Sequence, residues 1–142
     1  MQQTPFRIAT IQDDSEDNRL LARIFARDEF DVSSFETPRE LIQYMRIQPV
    51  PHCVITDLTI KESSGVELIE KIRHNARWKD VPILVLAKSV SKQELIELNR
   101  LKINSYIVKP YQPPRLFSDV LKLMGLEVVT EKKAVKRKVL KH

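Results

Sequence analysis

Three short apolar runs in this chain each end in charge. Ile8-Ala9-Thr10-Ile11 leads through Gln12 into Asp13-Asp14, Cys53-Val54-Ile55-Thr56 ends on Asp57, and Ser105-Tyr106-Ile107-Val108 runs into Lys109-Pro110. If these runs are parallel strands, three carboxylates and one ammonium meet at a single sheet edge. Crowded carboxylates repel, so such a site calls for a divalent cation and a lysine as countercharge. Asp57 stands in the middle of it.

The elements that must position these groups follow from periodicity. Strands are expected at Ile8–Ile11, Phe30–Phe35, Cys53–Leu58, Ile83–Ala87 and Ser105–Val108, each a short run, with the fourth continuously apolar as suits a strand buried on both faces. Between them lie segments of helical spacing. Ser15 or Asp17 is expected to cap a helix carrying Leu20, Leu21, Ile24 and Phe25. Thr37-Pro38-Arg39-Glu40 reads as a capping box with proline at the first helical position, followed by Leu41, Ile42 and Met45. Pro49 and Pro51 end that helix, Gly65 precedes a third one, and Ser91 caps a fourth. Pro113 and Pro114 open a fifth helix that ends near Gly125. The alternation predicts (βα)₅, a doubly wound five-stranded parallel sheet with helices on both faces. Ligands of such sheets bind beyond the carboxyl ends of the strands, where Asp13, Asp14, Asp57 and Lys109 fall.

At 142 residues, 42% hydrophobic and 30% charged, the chain suits one globular domain. Its apolar runs are too short to span a bilayer, its first ten residues do not read as a leader, and its single cysteine fits a reducing cytoplasm. Cys53 reads as a buried strand thiol. His52, His74 and His142 have no metal-binding spacing, and two glycines, Gly65 and Gly125, exclude a glycine-rich phosphate cradle. Charge is uneven: the last thirteen residues carry six Lys or Arg against Glu131, a net +5 that equals the net charge of the whole chain. A neutral domain over residues 1–127 and a basic tail or linker over 128–142 are therefore expected. The segment Glu131–Lys141 reads as a helical extension or a disordered arm. It has no aromatic for base stacking, so nucleic acid is not an expected partner of the domain and is weakly supported for the tail.

Asp13-Asp14, Asp57, Gly65 eight residues on, Tyr106 and Lys109-Pro110, at these mutual spacings, resemble a response-regulator receiver domain of two-component signalling, over residue 6 to about 125. The resemblance implies the flavodoxin-like strand order 2-1-3-4-5. It also implies Mg²⁺-dependent phosphorylation of Asp57 by a histidine kinase or phosphotransfer protein. Mg²⁺ would be held by Asp13, Asp14, Asp57 and the backbone carbonyl of Thr59. Lys109 would pair with Asp57 and then with the incoming phosphate, and a cis bond is expected before Pro110. Tyr106 would be the aromatic whose rotamer reports phosphorylation. Output would pass to a downstream protein through the fourth helix, the fifth strand and the fifth helix, with a homodimer among the assemblies open to it. Such a domain catalyses at most its own phosphorylation and dephosphorylation.

The pattern is broken at Ala87, where the family carries Thr or Ser to bond the phosphoryl group. Lys88 beside it adds a cation that could contact phosphate instead. Lys61 replaces a usual proline, and Lys102 a usual glycine. The missing hydroxyl keeps open a second reading, a receiver-like module that binds partners regardless of phosphorylation. A third, an aspartyl-nucleophile phosphatase of the haloacid dehalogenase type, would carry Asp-x-Asp-x-Thr, and Asp57-Leu58-Thr59 lacks the second aspartate.

Overall fold

Parallel pairing brings the charged strand ends to one edge. The computed structural model describes residues 4–60, 63–129 and 134–137. Five strands, β1 (Phe6–Ile11), β2 (Phe30–Phe35), β3 (Cys53–Asp57), β4 (Ile83–Ala87) and β5 (Ser105–Val108), form one sheet in the order β2-β1-β3-β4-β5. All neighbours are parallel, with Ile11 beside Thr56, Thr56 beside Val85, and Val85 beside Tyr106. Beyond that row the chain reaches Asp13, Asp57, Ala87 and Lys109 within one to three residues. The sheet and its order agree with the sequence expectation; β1 begins two residues earlier than the apolar run.

Side chains that alternate along the strands supply two cores. Ile8, Cys53, Ile55, Leu84 and Leu86 face helices α1 (Ser15–Ile24) and α5 (Pro113–Leu123), through Leu21, Leu116, Val120 and Leu121. Ala9, Val54, Ile83 and Val85 face α2 (Pro38–Ile47), α3 (Gly65–His74) and α4 (Lys92–Arg100), through Leu41, Leu68, Ile69, Ile72 and Leu98. Trp78 is fully buried in the second core, its ring edge-on to Tyr44. Cys53 is buried and free, and burial pushes its thiol up to about 12, which leaves it without thiolate character at neutral pH.

Three local readings are corrected. Asp14, not Ser15 or Asp17, caps α1, its Oδ1 accepting from Glu16 N at 2.7 Å. Thr37 does cap α2, but the Thr37 hydroxyl donates to the Glu40 carboxylate, so the reciprocal backbone bond of a full box is not made there. That full box occurs at Ser91 and Glu94 on α4. Third, Ala134–Arg137 is neither helix nor loose arm. It forms β7, antiparallel to β6 (Leu126–Val129), with Val128 beside Val135. β-branched residues at these positions favour extended backbone, and Val135 packs onto the α1/α5 core. β6 crosses the boundary expected after residue 127. Lys61 and the remaining basic tail residues lie outside the described residues, apart from Lys136 and Arg137.

Arg73 closes the end of the sheet opposite the charged edge. Its guanidinium donates to the carbonyls of Leu101, Lys79, Val81 and Lys102 at 2.8–3.0 Å. Lys102 carries a left-handed φ of 57°, where a side chain is strained and glycine is not. Lys102→Gly is therefore expected to raise stability by about 0.5–1 kcal/mol, because the relief of strain exceeds the extra entropy of the unfolded glycine. A urea denaturation midpoint that falls instead would show that Lys102 makes a compensating contact.

Candidate functional site

Asp57 closes β3 and is only 7% exposed. Its backbone is fixed on both sides. Leu58 N donates to Leu86 O at 2.8 Å, Gly65 N donates to Leu58 O at 2.7 Å, and the Thr56 hydroxyl donates to the Asp57 carbonyl at 3.0 Å. Gly65 is needed for this approach: a Cβ there would lie 2.5 Å from the Asp57 carbonyl oxygen. Lys109 follows β5, its N–H bonded to Ala87 O at 2.7 Å, and the Lys109–Pro110 peptide is cis, as expected.

The Lys109 ammonium reaches two carboxylates. Nζ lies 2.8 Å from Asp57 Oδ1 and 3.3 Å from Asp17 Oδ2. Only the Asp17 contact has hydrogen-bond geometry. Asp57 Oδ1 is buried with no hydrogen bond, so its short contact with Lys109 is an ion pair that is close but misaligned. Burial pushes the Asp57 carboxyl above its usual range. Lys109 pulls it down by less, and Asp17 and Asp13 add to the rise. Burial also works against the Lys109 charge, but Asp57 and Asp17 outweigh it and hold the ammonium above the usual lysine value. The two directions differ because Asp57 is the more deeply enclosed partner and sits among other acids.

These groups line one cavity of about 370 Å³, walled by Asp13, Asp14, Asp17, Asp57, Thr59, Leu86, Ala87, Lys88, Ser89 and Lys109. Every sequence-derived candidate except Tyr106 is therefore brought together. Tyr106 lies outside the cavity, 40% exposed on the outermost strand. The acids fit a hard divalent cation in donor chemistry. Yet among the described residues no three acidic, His or Cys side chains converge as a closed metal cluster. A cation that takes few protein oxygens and keeps several waters, as Mg²⁺ does, matches this open acidic wall.

Sequence reasoning missed Asp17 as a site residue. Its signal was its position three residues after the α1 cap, on a helix held to the sheet edge by Asn18. The Asn18 amide donates to Gln12 O and Phe35 O at 3.3 and 3.0 Å and accepts from the Thr10 hydroxyl at 3.1 Å.

A doubly wound parallel sheet with an acidic, lysine-bridged pocket at its carboxyl edge defines the class, an open α/β domain whose ligand site lies beyond the strand ends. The sequence model of the response regulator receiver domain matches residues 8–121, and the chain belongs to that family. It is 33% identical over 72 residues to the chemotaxis protein CheY1 of Helicobacter pylori, covering 51% of this chain and 58% of that one. Over 120 residues it is 25% identical to hybrid signal transduction histidine kinase D of Dictyostelium discoideum, 84% of this chain but 8% of the kinase. It thus spans less than two thirds of either relative. Chemotaxis response regulator CheY4 of Vibrio cholerae has the same fold, with a TM-score of 0.77 at 18% identity over 84% of this chain and 99% of that one. The Mn²⁺-bound form of response regulator Rcp1 matches with a TM-score of 0.71 at 22% identity over 84% and 91%. Among the described residues no helix is long and apolar enough to cross a membrane.

Proposed function

We propose that this receiver domain accepts a phosphoryl group on Asp57 from a histidine kinase or phosphotransfer protein and passes the signal on through protein contacts. The observation that carries the reading is the Asp57–Lys109 pair: a buried carboxylate with an ammonium 2.8 Å away, in a cavity otherwise walled by acids. One Asp57 oxygen bonds to phosphorus while the bond from phosphorus to the donor imidazole nitrogen breaks. The electron pair leaves with that nitrogen, which solvent protonates. Lys109 then follows the phosphoryl oxygens, which bring more negative charge than the carboxylate they replace.

Asp13, Asp14 and Asp57, with the Thr59 carbonyl, would hold Mg²⁺. When bound, the ion supplies neutralisation of phosphoryl charge. Asp14 Oδ1 is occupied as the α1 cap, which leaves its second oxygen for the ion. Ala87 offers a methyl where the family has a hydroxyl, so Lys88 on the cavity wall would meet the phosphoryl oxygens on that side. Any reorientation of Tyr106 would then have to be driven without that hydroxyl. The face of α4, β5 and α5 would carry the output. No observation favours a module that works independently of phosphorylation.

Incubation with Mg²⁺ and a small phosphodonor, an acyl phosphate or a phosphoramidate, tests the assignment. The wild-type chain is expected to acquire an acid-stable, hydroxylamine-labile label that Asp57→Asn lacks completely. No label on the wild type, or label retained by Asp57→Asn, would overturn it.

A further inference from the structure

We infer that Asp17 is the positioning residue for Lys109: it holds the ammonium between helix α1 and Asp57, on the wall of the cavity that the phosphoryl group must enter. The inference rests on Asp57 being the phosphoacceptor and adds a residue that the acidic pair, Asp57 and Lys109 do not include.

The ammonium has three N–H donors and two carboxylates within reach, yet it aligns a hydrogen bond only with Asp17 Oδ2 at 3.3 Å. The nearer oxygen, Asp57 Oδ1 at 2.8 Å, is paired by charge but not by direction. Asp57 Oδ1 is buried and the carboxylate has a second oxygen to reach phosphorus, so Lys109 acts on the nucleophile through its charge and its place at the cavity wall. Asp17 can hold this geometry because its helix is fixed. Asp14 caps it, and the buried Asn18 bonds it to the ends of β1 and β2. Asp17 is also the residue, with Asp14, Lys88 and Lys109, that borders both the Asp57 cavity and the adjoining hollow lined by Leu20, Pro110 and Tyr111. Its carboxylate therefore stands on the α1 side of Lys109 and Asp57 on the other, with the ammonium bridging them. Once a phosphoryl group is on Asp57, Lys109 has a stronger acceptor and gives up Asp17.

Removing Asp17 takes away the α1-side partner of the ammonium, so Lys109 is held by Asp57 alone and is less well placed to meet the phosphoryl oxygens. Asp17→Ala is expected to slow phosphorylation at saturating small phosphodonor by about two- to fivefold, the range a half-exposed ion pair supports. Asp17→Asn removes the charge but keeps an acceptor oxygen, and is expected to retain most of the wild-type rate. In a Lys109→Ala background, where any rate is slow, the difference between the Ala and Asn variants is expected to vanish, because Asp17 acts through Lys109. A readout independent of phosphorylation is the Lys109 Nζ resonance in lysine-selective NMR without metal. It should move in Asp17→Ala and far less in Asp17→Asn. Equal rates for the Ala and Asn variants, an unmoved Lys109 resonance, or a difference that persists without Lys109 would overturn the inference. A wild-type chain that takes no label would instead overturn the phosphoacceptor reading, so the two failures are distinct.

Discussion

Gly65→Ala is expected to lower stability by about 1–3 kcal/mol and to reduce phosphorylation of Asp57 with it, although Gly65 touches neither donor nor metal. Two effects oppose each other. Alanine is the better helix former by roughly 1 kcal/mol inside a helix, and Gly65 is the first residue of α3 with no left-handed φ to protect. Against that gain, the added Cβ would stand 2.5 Å from the Asp57 carbonyl oxygen, 2.9 Å from Leu58 Cα and 3.1 Å from Leu58 O. All three are backbone atoms in a segment tied to β4 through Leu58 N, so no side chain can swing aside. Either α3 retreats and loses its bond from Gly65 N to Leu58 O, or the Asp57–Leu58 backbone moves. The second route displaces the nucleophile and Thr59 together. The clash exceeds the propensity gain, since a first-turn position realises only part of it. Urea denaturation with the phosphorylation assay on the same variant checks both halves; a variant more stable than wild type with an unchanged label would show that α3 can shift freely.

The legibility of this site divides along a physical line. Groups whose position follows from strand ends were readable, because a parallel sheet sets its carboxyl edge by register alone. That is how Asp13, Asp57 and Lys109 could be assigned to one place, whereas the five-strand order rested on the resemblance to receiver domains. Gly65 was readable as a marker but not as a cause, since the 2.5 Å approach to Asp57 depends on how α3 seats against β3. Asp17 was readable as a first-turn acid of α1 but not as a partner of Lys109. Its partner is 92 residues away, and nothing local distinguishes an acid that pairs with lysine from one that favours a helix start. Capping at α1 failed for a related reason: Asp14, Ser15 and Asp17 can all accept from the first turn, and the backbone angles at Asp14 decide. At the C-terminal end, Ala134-Val135-Lys136-Arg137 has no apolar–polar alternation to mark β7 as a strand, and its partner β6 straddles the expected start of the tail at residue 128.

The same buried charge that makes Asp57 useful should make it a burden on folding. Asp57→Asn is expected to be more stable than the wild type at neutral pH in the absence of divalent cations. The substitution is isosteric, so no cavity confuses the comparison. The sign follows from the direction of the Asp57 shift. Its folded-state carboxyl titrates above the usual value, chiefly because of burial, with Asp17 and Asp13 adding to the rise and Lys109 only partly offsetting it. Below the ordinary carboxyl range both folded and unfolded Asp57 are protonated, and wild type and variant should be equally stable. As pH rises through that range the unfolded chain ionises first, and wild-type stability falls until the folded carboxyl has also ionised. The advantage of asparagine therefore opens across this interval and stays level above it. Loss of Asp57 also removes one partner of Lys109, but that attraction is already included in the net upward direction, and Asp17 remains to hold the ammonium. A gain of about 1 kcal/mol, the usual scale of a point substitution, would appear as a few degrees in Tm. Adding Mg²⁺ should close the gap, because a cation that binds the folded acidic cavity stabilises the wild type by mass action and the variant less. Chemical denaturation of both proteins from acid to neutral pH, with and without Mg²⁺, decides the matter. A wild type more stable than Asp57→Asn in metal-free buffer at neutral pH would mean that Lys109 fully compensates the buried charge, and that the site needs no cation to be at rest.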